Sequence, residues 1–259
     1  MSKNLLKAIM EEHTARAFSI TGLAERIQEG YVLGRTVNTK PRKNFSPSSL
    51  AYAAGGGGCP RYWYFKFDGR DQIDDIDAYS AANMENGTLS HQRIQKAMER
   101  AGVAVQTEIK VISYDPPIFG YVDNMISWNG EEMPAEIKTM REESWQYRAK
   151  SGKAPDYHVV QLLIYMALMK KTRGVFIYES KNSHELYIIP VEMTPEYEQW
   201  LEDTFTWMRD VKKAFNDKEL PVKPYRSNSK VCKKCPFREV CADAGEGVVK
   251  IPSLRPVGE

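Results

Sequence analysis

The spacing of apolar positions changes twice along the chain, and each change marks a different kind of element. Residues 3–17 and 21–33 read as two short amphipathic helices, the second ending near Gly34. A polar stretch containing Pro41 breaks the pattern up to Phe45. Ser46-Pro47 sets a capping residue before a proline at the first helical position, which predicts a helix through Leu50 and Tyr52. The glycines Gly55–Gly58 interrupt it and read as a flexible spacer. Cys59-Pro60 then restarts a helix through Phe65. Another helix is expected over 80–101, closed by Gly102. The period then shortens to two. Val103–Tyr114, Ile118–Trp128 and Met133–Met140 have the β-branched and aromatic content of strands, the last two joined by Asn129-Gly130. Helices are expected at 141–150 and 156–171, then a hairpin of Val175–Glu179 and Glu185–Val191, then a long helix from Thr194 to about Asn216. This order predicts an α/β fold, a mixed sheet with helices packed on it.

Composition narrows the class. With 259 residues, 42% of them hydrophobic and 27% charged, the chain can bury a core for one large or two small domains. No apolar run approaches the ~18 residues needed to span a bilayer, so no membrane partner is expected. The first residues carry acids and lack an apolar core, so they do not read as a signal peptide. Four cysteines are too few for a disulfide scaffold of this size. Their spacing suggests a metal site in a reducing compartment, the cytoplasm.

The Asn129-Gly130 turn permits a register argument. A two-residue turn pairs Trp128 with Glu131, which places Asp123 opposite Glu136 on one face, with Lys138 projecting from that face too. Carboxylates that close repel, and a bridging divalent cation removes the conflict while creating a Lewis acid. Lys138 beside it could orient water or stabilise charge developing on a phosphate. The bland alternative is an exposed face where Glu136 pairs with Lys138, but both carboxylates sit in largely apolar strands. His91 shares a helical stripe with Gly87, Ile94 and Met98, and Gly87 is expected to let that helix approach a neighbour closely. The helix from His158 to Met169 is apolar on nearly every other face, so its stripe of His158, Gln161 and Tyr165 needs partners.

These residues resemble the RecB-like branch of the PD-(D/E)xK nuclease superfamily. The matching motifs are Gly-x-x-x-His at 87–91, Gly-x-x-Asp at 120–123, Glu-x-Lys at 136–138 and Gln-x-x-x-Tyr at 161–165. The resemblance implies a restriction-endonuclease-like mixed central sheet flanked by helices. It implies that His91, Asp123, Glu136 and the backbone carbonyl of Ile137 hold Mg²⁺ or Mn²⁺. Lys138 would then position the attacking water, and Gln161 and Tyr165 would contact the nucleic acid near the cleaved phosphate.

Cys232, Cys235 and Cys241 form a C-x2-C-x5-C run, and the only other cysteine is Cys59. Three clustered thiolates and one distant partner suit an iron–sulfur cube better than tetrahedral zinc. This arrangement, with Ser46-x-Ser48-x-Leu50 and then Cys59-Pro60-Arg61 followed by aromatics, resembles the Fe–S subset of RecB-like nucleases. That subset includes the CRISPR adaptation exonucleases, the AddB nuclease domain and exonuclease V. The resemblance implies a [4Fe-4S] cluster on Cys59, Cys232, Cys235 and Cys241, clasping the N-terminal helical part to the C-terminal tail. It covers roughly 45–242, leaving 1–44 as a helical extension and 243–259 as a tail. It also implies a DNA exonuclease acting on single-stranded or frayed ends, 5′ to 3′ in several members, in recombination, repair or replication. The alternatives are a non-cleaving DNA-end-binding module and a CRISPR adaptation nuclease trimming spacer precursors. Recombination, repair or CRISPR adaptation proteins are the partners that these readings imply.

Weaker signals add detail. The run Asp68, Asp71, Asp74, Asp75 and Asp77 lacks calcium-loop spacing and reads as a solvated loop. Among Tyr62, Trp63, Tyr64, Phe65 and Phe67, some must be core, so Arg61 and one exposed aromatic are the candidates for DNA contact. The net charge of +2 hides an uneven distribution. Residues 30–67 have no acid but carry Arg35, Lys40, Arg42, Lys43, Arg61 and Lys66. Residues 223–238 also lack acids and carry Lys223, Arg226, Lys230, Lys233, Lys234 and Arg238. Those twelve leave 24 basic against 34 acidic groups elsewhere, so one composite positive surface beside the cysteines is expected for a phosphate backbone.

Overall fold

The structure is a computed structural model that describes residues 22–33, 35, 40–52 and 56–257. The helix expected at 3–17 lies outside the described residues. The chain divides into two compact units, one of Met1–Thr36 and Ile76–Met84, the other of Val37–Asp75 and Glu85–Glu259. In the smaller unit, α1 (Leu23–Gly30) is shorter than the expected 21–33, because the backbone turns at Tyr31.

The larger unit follows the alternation of the sequence closely. Short helix α2 (Pro47–Ala51) begins at the expected Ser46-Pro47 step, and α3 (Pro60–Asp68) begins after Cys59. Helix α4 (Ala78–Arg100), whose first turns belong to the smaller unit, ends just before Gly102, which adopts φ 69°. The strands are β1 (Ala104–Tyr114), β2 (Pro117–Trp128), β3 (Glu131–Met140), β4 (Arg173–Ser180) and β5 (Leu186–Glu192). They form one five-stranded sheet in chain order, antiparallel except for the parallel pair β3–β4. That pair needs a crossover, supplied by α5 (Glu142–Ser151) and α6 (Asp156–Leu168). Helix α7 (Pro195–Asn216) is capped by Thr194, whose hydroxyl accepts from the Tyr197 amide. Two short helices in the tail, α8 (Lys230–Lys234) and α9 (Arg238–Asp243), carry no apolar periodicity and were not expected.

Alternation along β3 and β4 sorts the two faces. Ala135, Ile137, Val175 and Ile177 pack with Ile94 and Met98 of α4. Phe176 and Tyr178 turn to the other face, onto Leu162, Leu163, Ile164 and Met166 of α6, beyond which lie α3 and α7. Each of those α6 side chains is fully buried and contributes roughly 1.5–3 kcal/mol. The same alternation puts Glu136 and Lys138 on the α6 side, inside the protein rather than on a wet sheet. The fold is mixed α/β with a five-stranded sheet flanked by helices, as the sequence predicted.

Candidate active site

The turn between β2 and β3 has φ 51° at Asn129 and φ 81° at Gly130, both left-handed as a tight hairpin turn requires. The register therefore runs as expected, from Trp128↔Glu131 to Asn124↔Ala135. The next rung would set Asp123 against Glu136, and there the ladder stops. Instead, the Asp123 carboxylate accepts the amide of Ile137 at 2.8 Å, replacing a backbone rung with a side chain.

Glu136 is fully buried. Its Oε2 accepts from Lys138 Nζ at 2.9 Å and from Gln161 Nε2 at 2.8 Å, and Lys138 also donates to Gln161 Oε1 at 3.3 Å. Its Oε1 is buried with no partner among the described residues. Burial first, then the nearby Asp123 charge, push the Glu136 carboxyl up to about 8 against the pull of Lys138. Burial works against the charge of Lys138, but Glu136 and Asp123 outweigh it and hold the ammonium above its ordinary value. His91 Nδ1 lies 3.6 Å from Asp123 Oδ2. His91, Asp123, Glu136, Ile137 and Lys138, drawn from three elements, thus meet at one corner of the sheet.

Helix α6 supplies the floor. Gln161 and Tyr165 are turned inward, 8% and 2% exposed, so they touch the carboxylate and the strand rather than a surface open to nucleic acid. This departs from the expected DNA contact and follows from the apolar faces that bury α6. A Cβ on Gly120 would stand 2.6 Å from the Tyr165 hydroxyl, which is why a glycine precedes Asp123 by three residues. His158 shares a 2.8 Å hydrogen bond with the Tyr178 hydroxyl, and burial, then Lys138, lower its pKa to about 3.

Sequence reasoning missed several supports. Gln95 donates to the Asp123 carbonyl and to Glu108, both at 3.0 Å. Its signal was present, since it stands one helical turn beyond His91. Arg93 anchors α4 to the buried Glu179 at 2.7 Å. By contrast Gly87 has nothing within 4 Å of an added Cβ, so it does not serve the close helix approach expected of it.

The four cysteines come together around one cavity of about 180 Å³. Burial pushes the Cys59 thiol up to about 12, against the amides of Tyr62 and Arg61, and the Cys235 thiol to about 11. Among the described residues no three His, Cys, Asp or Glu side chains converge on a point that could hold one metal ion. Of the glycines expected to form a spacer, Gly55 lies outside the described residues and the other three are packed rather than slack. Gly56, Gly57 and Gly58 are buried, and a Cβ on Gly57 would lie 2.0 Å from the Ser49 carbonyl oxygen. Trp63 Nε1 donates to the Gly57 carbonyl at 2.8 Å, and a Cβ on Gly56 would meet Cys235 Sγ at 3.5 Å.

Arg61 is likewise unavailable to DNA. It is 2% exposed, donating to the Gly245 carbonyl and, at 3.5 Å, to Cys241 Sγ. Tyr62, Trp63, Phe65 and Phe67 are all buried, which leaves the half-buried Tyr64 as the one aromatic of α3 with an open side. The composite positive surface shrinks accordingly. Arg238 pairs with Asp75 at 2.7 Å, and Lys66 donates to Tyr62 and Ser49 while burial lowers its pKa to about 8.

Residues 120–242 match the PD-(D/E)XK nuclease superfamily. This stretch is a nuclease domain of that superfamily. The matched residues include Asp123, Glu136, Lys138, Gln161, Tyr165 and three of the four cysteines. The chain is 23% identical over 173 residues to the CRISPR-associated exonuclease Cas4 of Thermoproteus tenax, spanning 65% of this chain and 82% of that one. Two solved structures of an alkaline exonuclease from Laribacter hongkongensis, LHK-Exo, are also similar to it. The complex with dAMP is 15% identical with a TM-score of 0.49, covering 68% of this chain and 91% of that one. The second is 13% identical with a TM-score of 0.45, covering 68% and 87%. The family match and the Cas4 likeness make the chain an enzyme of the nuclease class, and Asp123, Glu136 and Lys138 lie within the matched stretch.

Proposed function

We propose that the protein is a divalent-metal-dependent DNA exonuclease acting on single-stranded or frayed ends, with 5′ to 3′ polarity, in recombination, repair or replication. One observation carries this reading. A fully buried carboxylate with an unpartnered oxygen, Glu136 Oε1, faces a second carboxylate at Asp123. Such a pair is costly unless a cation joins it. The donor chemistry suits Mg²⁺ or Mn²⁺: His91, Asp123, Glu136 and the Ile137 carbonyl would hold the ion once drawn closer than they stand here, where no three such side chains of the described residues converge on one point. Bound there, the ion supplies Lewis-acid polarisation of the scissile phosphate. Lys138, fixed by Glu136 and Gln161, orients water and neutralises charge on the phosphoryl oxygens. Asp123 is held by the Ile137 amide, and Gln95 fixes the backbone beneath it.

The cysteine cavity suits a [4Fe-4S] cluster held by Cys59, Cys232, Cys235 and Cys241. Four thiols from two distant segments line one cavity, the donor set that a polynuclear cluster takes. Its role is a clasp between α3 and the tail. The domain boundaries that follow are an extension over 1–44, the nuclease over 45–242 and a tail over 243–259.

The test is to purify the full chain without oxygen, measure iron and sulfide, and incubate it with end-labelled single- and double-stranded DNA and Mn²⁺ or Mg²⁺. Progressive shortening of the single strand from its 5′ end, abolished by EDTA, is expected. Full-length DNA under every condition, with binding retained, would establish a non-cleaving end-binding module instead. Trimming confined to spacer precursors in the company of an integrase would assign it to CRISPR adaptation.

A further inference from the structure

We infer that the open face of the β1–β2 hairpin is a track for one unpaired DNA strand, with Tyr121 as the platform on which a base stacks. The inference rests on the nuclease reading of the carboxylate corner. Alternate residues of β2 project from one face, so Phe119, Tyr121 and Asp123 follow one another on the same side. On the neighbouring strand Ile112 stands opposite Phe119, and Lys110 opposite Tyr121. Tyr121 is 47% exposed and Ile112 43%, large apolar side chains left in the open on the hairpin that carries a catalytic carboxylate. Phe119 meets Tyr121 edge to face at 5.4 Å, which fixes one side of the Tyr121 ring. Lys110 Nζ lies 5.6 Å from the centre of the Phe119 ring. At the far end Phe119 forms one wall of a cavity of about 60 Å³ whose other walls include Arg42 and Lys43. Along roughly 13 Å of strand the face therefore runs from carboxylate through two aromatics to cations.

This order suits a nucleic acid strand and no duplex. A base within a duplex is stacked on both faces and offers none to Tyr121, so only an unpaired strand can set a phosphate at Asp123 and a base on Tyr121. Aromatic faces accept any base, so the track selects strandedness rather than sequence. The lysine and the cations of the far cavity match the charge of the backbone that passes them.

The test uses the full chain and an oligothymidine carrying a single 2-aminopurine. Tyr121→Ala should raise KM for the single strand about tenfold with kcat unchanged, and abolish the quenching of 2-aminopurine that stacking produces. Tyr121→Phe should restore both. Lys110→Ala should weaken binding and flatten its salt dependence by about one phosphate contact. Tyr147→Ala, an exposed tyrosine on α5, should change nothing. Unchanged KM and quenching in Tyr121→Ala, in a protein that still cleaves, would overturn the track and leave the nuclease reading standing. Were the wild type inactive, the nuclease reading would fall and the quenching measurement would decide the track alone.

Discussion

The carboxylate corner and the cysteine cavity both bury acids, and they stabilise them by opposite means. At the corner, Glu136 is flanked by Lys138 and Gln161, and Asp123 is held by an amide, all within hydrogen-bond reach. Around the cavity the thiols meet mostly apolar walls, which push Cys59 up to about 12 and leave Arg61 as the buried cation beside them. The corner is local, since a two-residue turn sets β2 against β3. The cavity is long-range, since its first thiol and the next are separated by nearly the whole nuclease domain. Chemistry is thus assigned to the part that the hairpin positions, and fastening to the part that joins distant segments.

Substitutions should separate the two. Asp123→Asn keeps an oxygen for the Ile137 amide but halves the anionic pair, so Mn²⁺-dependent cleavage should fall about a thousandfold in kcat. Iron content and melting temperature should stay at wild-type values; a matched drop in melting temperature would show that the corner also fastens. Cys232→Ala should do the reverse, losing iron and about 3–5 kcal/mol of stability by calorimetry, with activity falling only as the fold is lost. Iron loss without a change in melting temperature would break the division of labour.

Smaller effects sharpen it. Gly57→Ala sets a methyl against the Ser49 carbonyl and should cost about 2 kcal/mol in denaturant unfolding. Gly87→Ala, in a helix with open space beside it, should gain about 0.5–1 kcal/mol. Equal effects would mean that the glycine loop is not packed against α2. His158 gives a pH signature of the corner's floor. Its folded pKa of about 3 lies below the usual 6.5, so the unfolded chain takes up a proton first as pH falls. Stability is therefore full above the unfolded value and declines below it, by about 2 kcal/mol at pH 5. His158→Gln should flatten that slope in a series of melting curves.

What could be read from sequence follows the same division. The Asn129-Gly130 turn fixed the register as far as Asn124↔Ala135, one rung short of Asp123 and Glu136. The apolar surround of α6 announced that Gln161 and His158 needed partners, and both have them. Long-range packing was not legible in this way. Arg61 follows a cysteine in a basic segment and reads as exposed, yet it turns inward to carbonyl and thiol groups almost two hundred residues away. The glycine loop reads as slack because nothing local restrains it; the restraint is the Ser49 backbone pressed against it. Gln95 escaped notice although it stands one turn beyond His91, because its partners, the Asp123 carbonyl and Glu108, lie on strands whose approach no helical stripe records. The two tail helices escaped because a single turn around cysteines has no period to detect.

The substitution of a carboxylate for a ladder rung at Asp123 has a bearing on how this family can drift. The group that would do the chemistry also closes the seam between two strands, so a random change there opens the sheet and silences the reaction at once. Asparagine is the one ordinary replacement that keeps the stitch. A lineage that gave up cleavage but kept its fold would be expected to pass through the change Asp123→Asn, and to leave the Ile137 amide still bound as a trace of the abandoned trade.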